Sequence, residues 1–385
     1  MPAGYDPALV ERVRDAFARL QDKQAVADEL GLSRSKVQRV LKAVEKEAAI
    51  HSLGQGTFRP IPGFGVTQVT SAINRDGDKV FDWVQQKPDA AEREAFLHAM
   101  ITEMLEPLKG LAPFVPPPTR PLEHLLAVYP IGDHHYGMKA DARETGDNYD
   151  CAIAANRLTA AVDHLANTVP PAREALLLNL GDFYHANDSK NVTPESGNLL
   201  DVDTRHGQVL ESGAMTLIRC VLRLLERHET VHVWNMRGNH DPDAAFALSI
   251  AMKFYFHNEP RVIVDMGPSL YKYLRFGNNL IASHHGHGAK GDALPLLMAV
   301  DRPEDWAATE HRVWHCGHIH HKTLKEHPGV DVETHRTLAG SDAWHHGKGY
   351  RSKRDMSVIL YDRELGEVQR NRFDMRMVEK MAEAA

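Results

Sequence analysis

Five short polar clusters between residues 132 and 320 combine aspartate, asparagine and histidine side chains. They are Gly132-Asp133-His134-His135, Gly181-Asp182-Phe183-Tyr184-His185, Gly238-Asn239-His240-Asp241, Ser283-His284-His285-Gly286 and Gly317-His318-Ile319-His320. Imidazole and carboxylate groups suit borderline divalent metals such as Mn, Fe, Ni and Zn. Two such metals about 3.5–4 Å apart can clamp the attacking and leaving oxygens of a phosphoryl displacement. One carboxylate must then bridge the metals, and the bridging water is acidified into a nucleophile.

Each cluster follows a short apolar run that is typical of a buried strand. We predict these strands at residues 125–131, 175–180, 231–236, 280–283 and 313–316. The patterns between the first four predict helices at 149–169, 204–228 and 242–256, and a closing hairpin is expected from 358–361 and 367–373. This alternation predicts an α/β domain. Because ligands bind in the loops beyond the carboxyl ends of such strands, the five clusters are expected to form one site.

Each cluster taken alone is weak evidence for a metal site. Glycine, asparagine and aspartate favour turns for backbone reasons, and a single histidine pair is often packed or exposed. Five clusters in order, each after an apolar run, favour a shared metal site. We expect the neighbouring histidines to support the ligands or to pack. These are His134, His284, His287, His315 and His321.

The order of the clusters resembles that of calcineurin-like metallophosphoesterases, over roughly residues 126–375. The resemblance implies a four-layer fold in which two packed mixed β-sheets are flanked by helices. It implies two divalent metal ions, with Mn²⁺ expected first and Fe, Ni or Zn as alternatives. It also implies roles: Asp133, His135 and His320 hold the first metal, Asp182 bridges, and Asn239, His285 and His318 complete the second site. His240 would protonate the leaving oxygen, with Asp241 holding its imidazole.

The first 50 residues have the pattern of a small all-α helix-turn-helix domain. Three short helices are predicted within residues 8–47, and Ser33 is a suitable N-cap for the third. Ala27, Gly31, Val37 and Val40 occupy positions where this motif needs a small residue, a turn glycine and two buried apolar residues.

The third of these helices has a run of basic residues with no acid among them. The residues are Arg34, Lys36, Arg39 and Lys42, which together contribute a charge of +4. A helix of this kind could enter the major groove of DNA, so we predict that these four residues bind DNA. A small helical domain for protein interaction is the alternative.

Residues 51–121 are expected to connect this domain to the C-terminal domain at 122–385. We predict a β-hairpin from residues 66–70 and 80–84, a helix at about 90–105, and a stiff proline-rich linker at 113–121.

Composition excludes several classes of protein. The 385-residue chain is 43% hydrophobic with a net charge of -7, so any DNA contact must come from a local basic patch. No apolar run approaches the ~18–20 residues of a membrane span, and we expect no membrane partner. Cys151, Cys220 and Cys316 are scattered, and no signal pattern begins the chain, so we expect a cytoplasmic protein, in the host cytoplasm if a phage encodes it. A homodimer is the candidate assembly.

Local differences between the motifs bear on the substrate. Serine/threonine phosphatases of the superfamily carry G-D-x-x-D-R-G, whereas this chain has His185 and Ala186 after Gly181-Asp182-Phe183-Tyr184. A histidine at this place resembles the nuclease subunits of double-strand-break repair complexes. The whole arrangement also resembles phosphoesterases of tailed bacteriophages, some of which have an N-terminal helix-turn-helix.

Two functions therefore stay open. The first is a phosphodiesterase that acts on DNA, with His185 assisting His240 and Asp241 at the catalytic site. The second is a hydrolase of nucleotides or cyclic nucleotides, or a regulator whose N-terminal domain binds an operator or a protein. No basic run lies within residues 181–241, which weighs against the nuclease. The polar insert at 187–206 could be a substrate loop or a solvated excursion.

Overall fold

The computed structural model describes residues 6–53, 64–73, 79–88, 99, 109–289, 291–341, 346–349 and 351–377. The chain divides into two compact units, Met1–Glu103 and Met104–Ala385. Most of the helix predicted at 90–105 lies outside the described residues, as does the turn at 74–78. No described helix is long and apolar enough to cross a membrane.

The first unit begins with three helices, α1 (Pro7–Leu20), α2 (Lys23–Leu30) and α3 (Arg34–Leu53). Side chains cap their N-termini: a carboxylate oxygen of Asp22 accepts the backbone N–H of residues 24 and 25, each at 2.8 Å. Ser33 Oγ accepts the N–H of residue 36 at 3.2 Å, as expected for the N-cap of α3. The three predicted helices are confirmed.

These helices pack around a small apolar core. Its buried residues are Val10, Val13, Ala16, Val26, Ala27, Val37, Val40 and Leu41. Gly31 ends α2 in the left-handed conformation, with φ of 65°. The small residue, the turn glycine and the two buried valines therefore lie where the sequence placed them. Assignment of this domain as a helix-turn-helix stays a prediction.

The predicted hairpin strands are also present in the first unit. Strand β1 (Phe64–Ile73) pairs antiparallel with β2 (Lys79–Pro88), and a bulge interrupts the pairing between Val66 and Gln68.

The second unit contains two mixed sheets. Its strands are β3 (Leu122–Ile131), β4 (Ala172–Asn179), β5 (Thr230–Asn235), β6 (Val262–Val264), β7 (Lys272–Phe276), β8 (Asn279–His284), β9 (His311–Cys316), β10 (Thr323–His327), β11 (Val330–Thr334), β12 (Asp355–Asp362) and β13 (Gly366–Asp374). One sheet has the order β13-β12-β3-β4-β5-β6, and the other has the order β10-β11-β9-β8-β7. Strands β3 to β6 are parallel, as are β8, β9 and β11.

The helices of this unit cover the outer faces of the sheets. They are α4 (Cys151–Thr168), α5 (His206–Leu225), α6 (Pro242–Tyr255) and α7 (Leu294–Asp301), with single turns at Ala142–Thr145, Gly291–Ala293 and Pro303–Ala307. One apolar cluster joins α4, α5 and α6 to the six-stranded sheet, and another joins α7 to the five-stranded sheet.

A third apolar cluster holds the two sheets face to face. Leu126, Leu178 and Trp234 of the six-stranded sheet meet Ile281 and Val313 of the five-stranded sheet. The order of layers is therefore helix, sheet, sheet, helix, and the predicted mixed α/β fold is confirmed.

Within the second unit, the chain from residue 109 to the start of β3 packs against α6 and the segment before β6. The N–H of Gly110 donates to the carbonyl of Phe254 at 2.9 Å, and Arg261 Nη2 donates to the carbonyl of Val115 at 2.6 Å. Both Ala112 and Val115 are buried. The predicted division of the chain at residues 50 and 121 stays a prediction.

The fold brings the five polar clusters together. They follow β3, β4, β5, β8 and β9, and within each sheet these strands run parallel, so their carboxyl ends lie at one edge. The contact between the sheets then places both edges side by side. This is visible where His285 Nδ1, after β8, donates to the carbonyl of Leu180, after β4, at 2.8 Å.

Candidate metal centre

Three groups of potential metal ligands form where the loops meet, and one of them, His135, His185 and His240, shares His135 with a second group. The other two groups match the residues that the sequence assigned to metal binding. The first of these two contains Asp133, His135 and His320, and the second contains Asp182, His285 and His318. Within each group, one ligand atom from every residue lies within 4.8 Å of the others. The two groups adjoin, because Asp133 Oδ1 lies 4.0 Å from His285 Nε2. All the residues that the sequence assigned to metal binding are thus brought together, with Asn239 beside the second group.

The first group has the separations expected between ligands of one metal ion. His135 Nε2 lies 3.2 Å from His320 Nε2, and His320 Nε2 lies 3.5 Å from Asp133 Oδ1. Ligands bound at about 2.1 Å in neighbouring coordination positions lie roughly 3 Å apart. The nitrogen and oxygen atoms of this group therefore fit a divalent cation between them.

The second group shows the same spacing. His285 Nε2 lies 3.2 Å from Asp182 Oδ2 and 3.1 Å from Asn239 Oδ1. Because Nδ1 of His285 donates to the carbonyl of Leu180, its lone pair is on Nε2 and faces these oxygens. A carboxylate, an amide oxygen and two imidazoles fit a borderline divalent metal. The bridging role of Asp182 stays a prediction.

Backbone strain is concentrated at these ligands. Of the eight non-glycine residues with positive φ in the described part of the chain, five belong to the two ligand groups. They are Asp133 (31°), His135 (47°), Asp182 (49°), His318 (70°) and His320 (55°). Residues other than glycine seldom adopt this backbone conformation, and such strain is characteristic of functional sites. The fold thus maintains a costly backbone conformation to direct these side chains inward.

Two motif glycines allow neighbouring backbones to approach the ligand carboxylates. A Cβ atom on Gly238 would lie 2.0 Å from Asp182 Oδ1 and 2.3 Å from the Asp182 nitrogen. A Cβ atom on Gly317 would lie 2.7 Å from Asp133 Oδ2. All three separations are too short for real atoms. The glycines of the third and fifth clusters are therefore needed for space beside the carboxylates.

Asp241 has a different role from the one expected. Its carboxylate is fully buried and accepts the backbone N–H of Asp182 at 3.0 Å, of Tyr184 at 3.0 Å and of Gly238 at 3.1 Å. It makes no described contact with the His240 imidazole. Burial raises the pKa of Asp241, and the nearby charge of Asp182 raises it further, to about 7. The expectation that Asp241 holds the ring of His240 is wrong: Asp241 ties the loop after β4 to the loop after β5.

His240 is oriented by a backbone carbonyl instead. Its Nδ1 lies 2.9 Å from the carbonyl oxygen of His185, to which it donates, so Nε2 is the nitrogen available to a substrate. Its backbone N–H donates to Asp182 Oδ1 at 2.7 Å. His240 lines the cavity above both ligand groups.

His185 lies between a metal ligand and His240. Its Nδ1 is 3.3 Å from His135 Nδ1, and its ring stacks on that of His240 with centroids 5.5 Å apart. Because His135 offers Nε2 to the first ligand group, its proton is on Nδ1 and donates to His185. His185 then carries its own proton on Nε2. The structure thus places His185 against a ligand and also in the wall of the cavity.

A cavity of about 400 Å³ opens over the two groups. Residues of the insert at 187–206 form one wall, including Thr193, Ser196, Asn198 and Leu199. The insert is ordered by its own hydrogen bonds, such as Asn198 N to Thr193 Oγ1 at 2.9 Å. Its position favours the substrate-loop interpretation. The sequence does not single out these residues, since only the length and polarity of the insert indicate a substrate loop.

The adjoining histidines lie outside the two groups. His134 is buried against Phe183, and burial lowers its pKa to about 3. His284 stacks on Tyr271 with centroids 4.7 Å apart. His287 is nearer the centre, with its ring 5.2 Å from that of His285.

A separate buried group contains His315, Glu333 and His335. His315 Nδ1 lies 2.9 Å from His335 Nε2, and Tyr361 hydrogen-bonds to the other nitrogen of His315 at 3.1 Å. Glu333 is bound by Arg370 at 2.8 Å and by Lys322 at 3.1 Å. Because two cations already neutralise this carboxylate, the group is a poor site for a metal ion.

Comparison with known proteins gives weak similarities. No family model matches the chain, and no curated protein matches it. Zinc-bound Vps29 from Entamoeba histolytica is 14% identical, with 64% of this chain and 98% of that chain covered and a TM-score of 0.27. A protein from Streptococcus pneumoniae described as a predicted phosphoesterase is 11% identical, with 65% and 98% covered and a TM-score of 0.26. An archaeal phosphodiesterase is 12% identical, with 65% and 99% covered and a TM-score of 0.32. At these TM-scores, the site must be argued from its own geometry.

We expect Gly238→Ala to weaken binding of Mn²⁺ at least tenfold, because the added methyl group displaces Asp182. Loss of the groups that support a metal ligand typically lowers metal affinity ~10–100-fold. Calorimetric titration with Mn²⁺ measures this. Gly207→Ala is the matched control, since a Cβ atom at Gly207 meets nothing within 4 Å. Wild-type affinity in Gly238→Ala would contradict the described packing around Asp182.

Proposed function

We propose that the second unit is a phosphoester hydrolase with two divalent metal ions and that it cleaves phosphodiesters of DNA. The observation that supports the proposal is the pair of adjoining ligand groups, in which Asp133 Oδ1 of one lies 4.0 Å from His285 Nε2 of the other. When bound, the pair of metals supplies Lewis-acid activation of water and of the phosphoryl oxygens. The donor set of imidazole, carboxylate and amide groups suits Mn²⁺, Fe, Ni or Zn.

We assign the role of general acid to His240. Its Nδ1–H donates to the carbonyl of His185, which fixes the ring and turns Nε2 toward the cavity. In its protonated form, the ring can give the Nε2 proton to the leaving oxygen. His240 also forms a possible ligand group with His135 and His185. Because His135 directs Nε2 to His320 in the first ligand group, we assign proton transfer rather than metal binding to His240.

His240→Ala should retain both metal ions but lose turnover by about 10²–10⁴-fold on an ester with an alkoxide leaving group. The loss should be smaller on a p-nitrophenyl ester, because p-nitrophenolate needs little protonation. Metal content by elemental analysis and rates on the two esters check this. Equal losses on both esters would remove the acid role from His240.

The interpretation as a DNA phosphodiesterase rests on His185 and on the basic surface of α3. The ring of His185 reaches the cavity beside a metal ligand, where it can position a scissile phosphate.

One observation favours the alternative substrate, a small nucleotide or cyclic nucleotide. None of the described residues lining the cavity is lysine or arginine, and Asp201 contributes a negative charge to its wall.

His185→Ser distinguishes the two substrates. If His185 positions DNA, the variant should digest a labelled duplex far more slowly than wild type but hydrolyse bis(p-nitrophenyl) phosphate normally with Mn²⁺. Equal losses on both substrates, together with weaker Mn²⁺ binding, would make His185 a support of His135. Wild-type protein that degrades cyclic dinucleotides or mononucleotides, but no single- or double-stranded DNA with any metal, would establish the alternative.

The N-terminal domain supplies the second part of the proposal. All four basic residues predicted to bind DNA are exposed on α3, whereas Val37 and Val40 on the opposite face are buried. We infer that this exposed face binds DNA phosphates and brings the substrate to the protein. The alternative is a domain for protein interaction.

Alanine at all four positions should weaken binding to duplex DNA and reduce its salt dependence. Each lost phosphate contact lowers the slope of log K against log salt by about 0.9. Hydrolysis of bis(p-nitrophenyl) phosphate should not change. Arg12→Ala/Arg14→Ala is the control, since both residues are exposed basic residues of α1. Unchanged DNA affinity and slope in the quadruple variant would favour protein interaction. The substituted residues are Arg34, Lys36, Arg39 and Lys42.

A further inference from the structure

A second cavity, of about 200 Å³, adjoins the metal centre. His320 lines both cavities, so a molecule bound over the first ligand group can extend into the second cavity without leaving the protein surface. Thr337 connects the two places: its Oγ1 donates to the carbonyl of Asp133 at 2.6 Å, and it lines the second cavity.

The described lining of this second cavity contains basic side chains, whereas that of the first contains two carboxylates and neither lysine nor arginine. The described residues of the second lining include His346, Arg351 and Arg354 and no aspartate or glutamate. Arg351 Nη1 donates to the carbonyl of His346 at 3.2 Å, which holds the two side by side. Arg354 is ion-paired with Asp147, but Asp147 also binds Arg157 at 3.0 Å. Asp147 therefore divides its charge between Arg354 and Arg157, of which only Arg354 lines the cavity.

Neutral hydrogen-bonding groups complete the lining. Ser341 Oγ is buried and has no hydrogen-bond partner in the described structure. Such a group is costly unless a ligand or water satisfies it. Ser352 and Thr145 also line the cavity. Arginine, histidine and hydroxyl groups around a small volume provide the donors that recognise a phosphate group.

We propose that this cavity binds a second phosphate group of the substrate, next to the phosphate that is cleaved over the metal centre. The proposal rests on the proposed phosphodiesterase function and narrows it. The preferred substrate carries a further phosphate on the neighbouring nucleotide, as an oligonucleotide does and a cyclic mononucleotide does not. The two charged environments also orient the strand: its next phosphate lies toward Arg351, and the opposite side of the scissile group faces the insert with Asp201.

The test compares thymidine dinucleotides that have one internal phosphate with the same dinucleotides bearing an added terminal phosphate at either end. Wild-type protein with Mn²⁺ should prefer one of the two-phosphate dinucleotides by about 10–100-fold in kcat/KM, the effect of a charge-assisted contact. Arg351→Ala should lose most of this preference, with a much larger fall in kcat/KM on the two-phosphate dinucleotide than on the one-phosphate dinucleotide. Lys353→Ala is the matched control, because Lys353 is exposed and carries the same charge but is not among the described lining residues.

Two results would overturn the proposal. One is a wild-type protein with no preference between the substrates, and the other is Arg351→Ala that is slower on both by the same factor. Failure of the proposed function is distinct, because no dinucleotide would then be hydrolysed. In that case, calorimetry with the terminally phosphorylated dinucleotide decides: weaker binding to Arg351→Ala than to Lys353→Ala supports the cavity, and equal binding overturns it.

Discussion

Three buried carboxylates at one place are the constraint on which the second unit depends. Asp133, Asp182 and Asp241 are each at most 2% exposed, and their described ion pairs involve histidine but neither lysine nor arginine. Burying a carboxylate without compensation is very costly. Asp241 is compensated by three backbone N–H groups. Asp133 and Asp182 each accept the backbone N–H of one residue and otherwise face imidazole nitrogens whose lone pairs also need a cation. Divalent metal ions satisfy both requirements at once, and this is the physical reason for assigning a metal centre here.

The architecture around the carboxylates follows from the same requirement. Parallel strands in two packed sheets deliver five loops to one edge, and the glycines at 238 and 317 let backbone pass within contact of the carboxylates. Positive φ at five ligands is a cost that the apolar core between the sheets must offset. Stability and function are therefore opposed at this edge, because relaxed loops would no longer direct the ligands inward.

Much of the second unit could be predicted from sequence because its signals are local. Apolar runs such as 175–180 and 313–316 indicate buried strands, and the polar cluster after each run indicates the site. The role of Asp241 could not be predicted, since two of its three backbone partners are 57 and 59 residues away. The second cavity was also missed: Thr145, His320 and Arg351 are brought together by tertiary packing, and no periodic pattern connects them. On the N-terminal helices, sequence predicts the exposed charges but not the molecule that they bind.

Anomalous diffraction from a crystal grown with Mn²⁺ tests whether two metal ions share Asp182. We expect two anomalous peaks about 3.5–4 Å apart. One should be bound by Asp133, His135 and His320, the other by Asn239, His285 and His318, with Asp182 in contact with both. A single peak, or two peaks of which Asp182 contacts only one, would contradict the bridging role of Asp182.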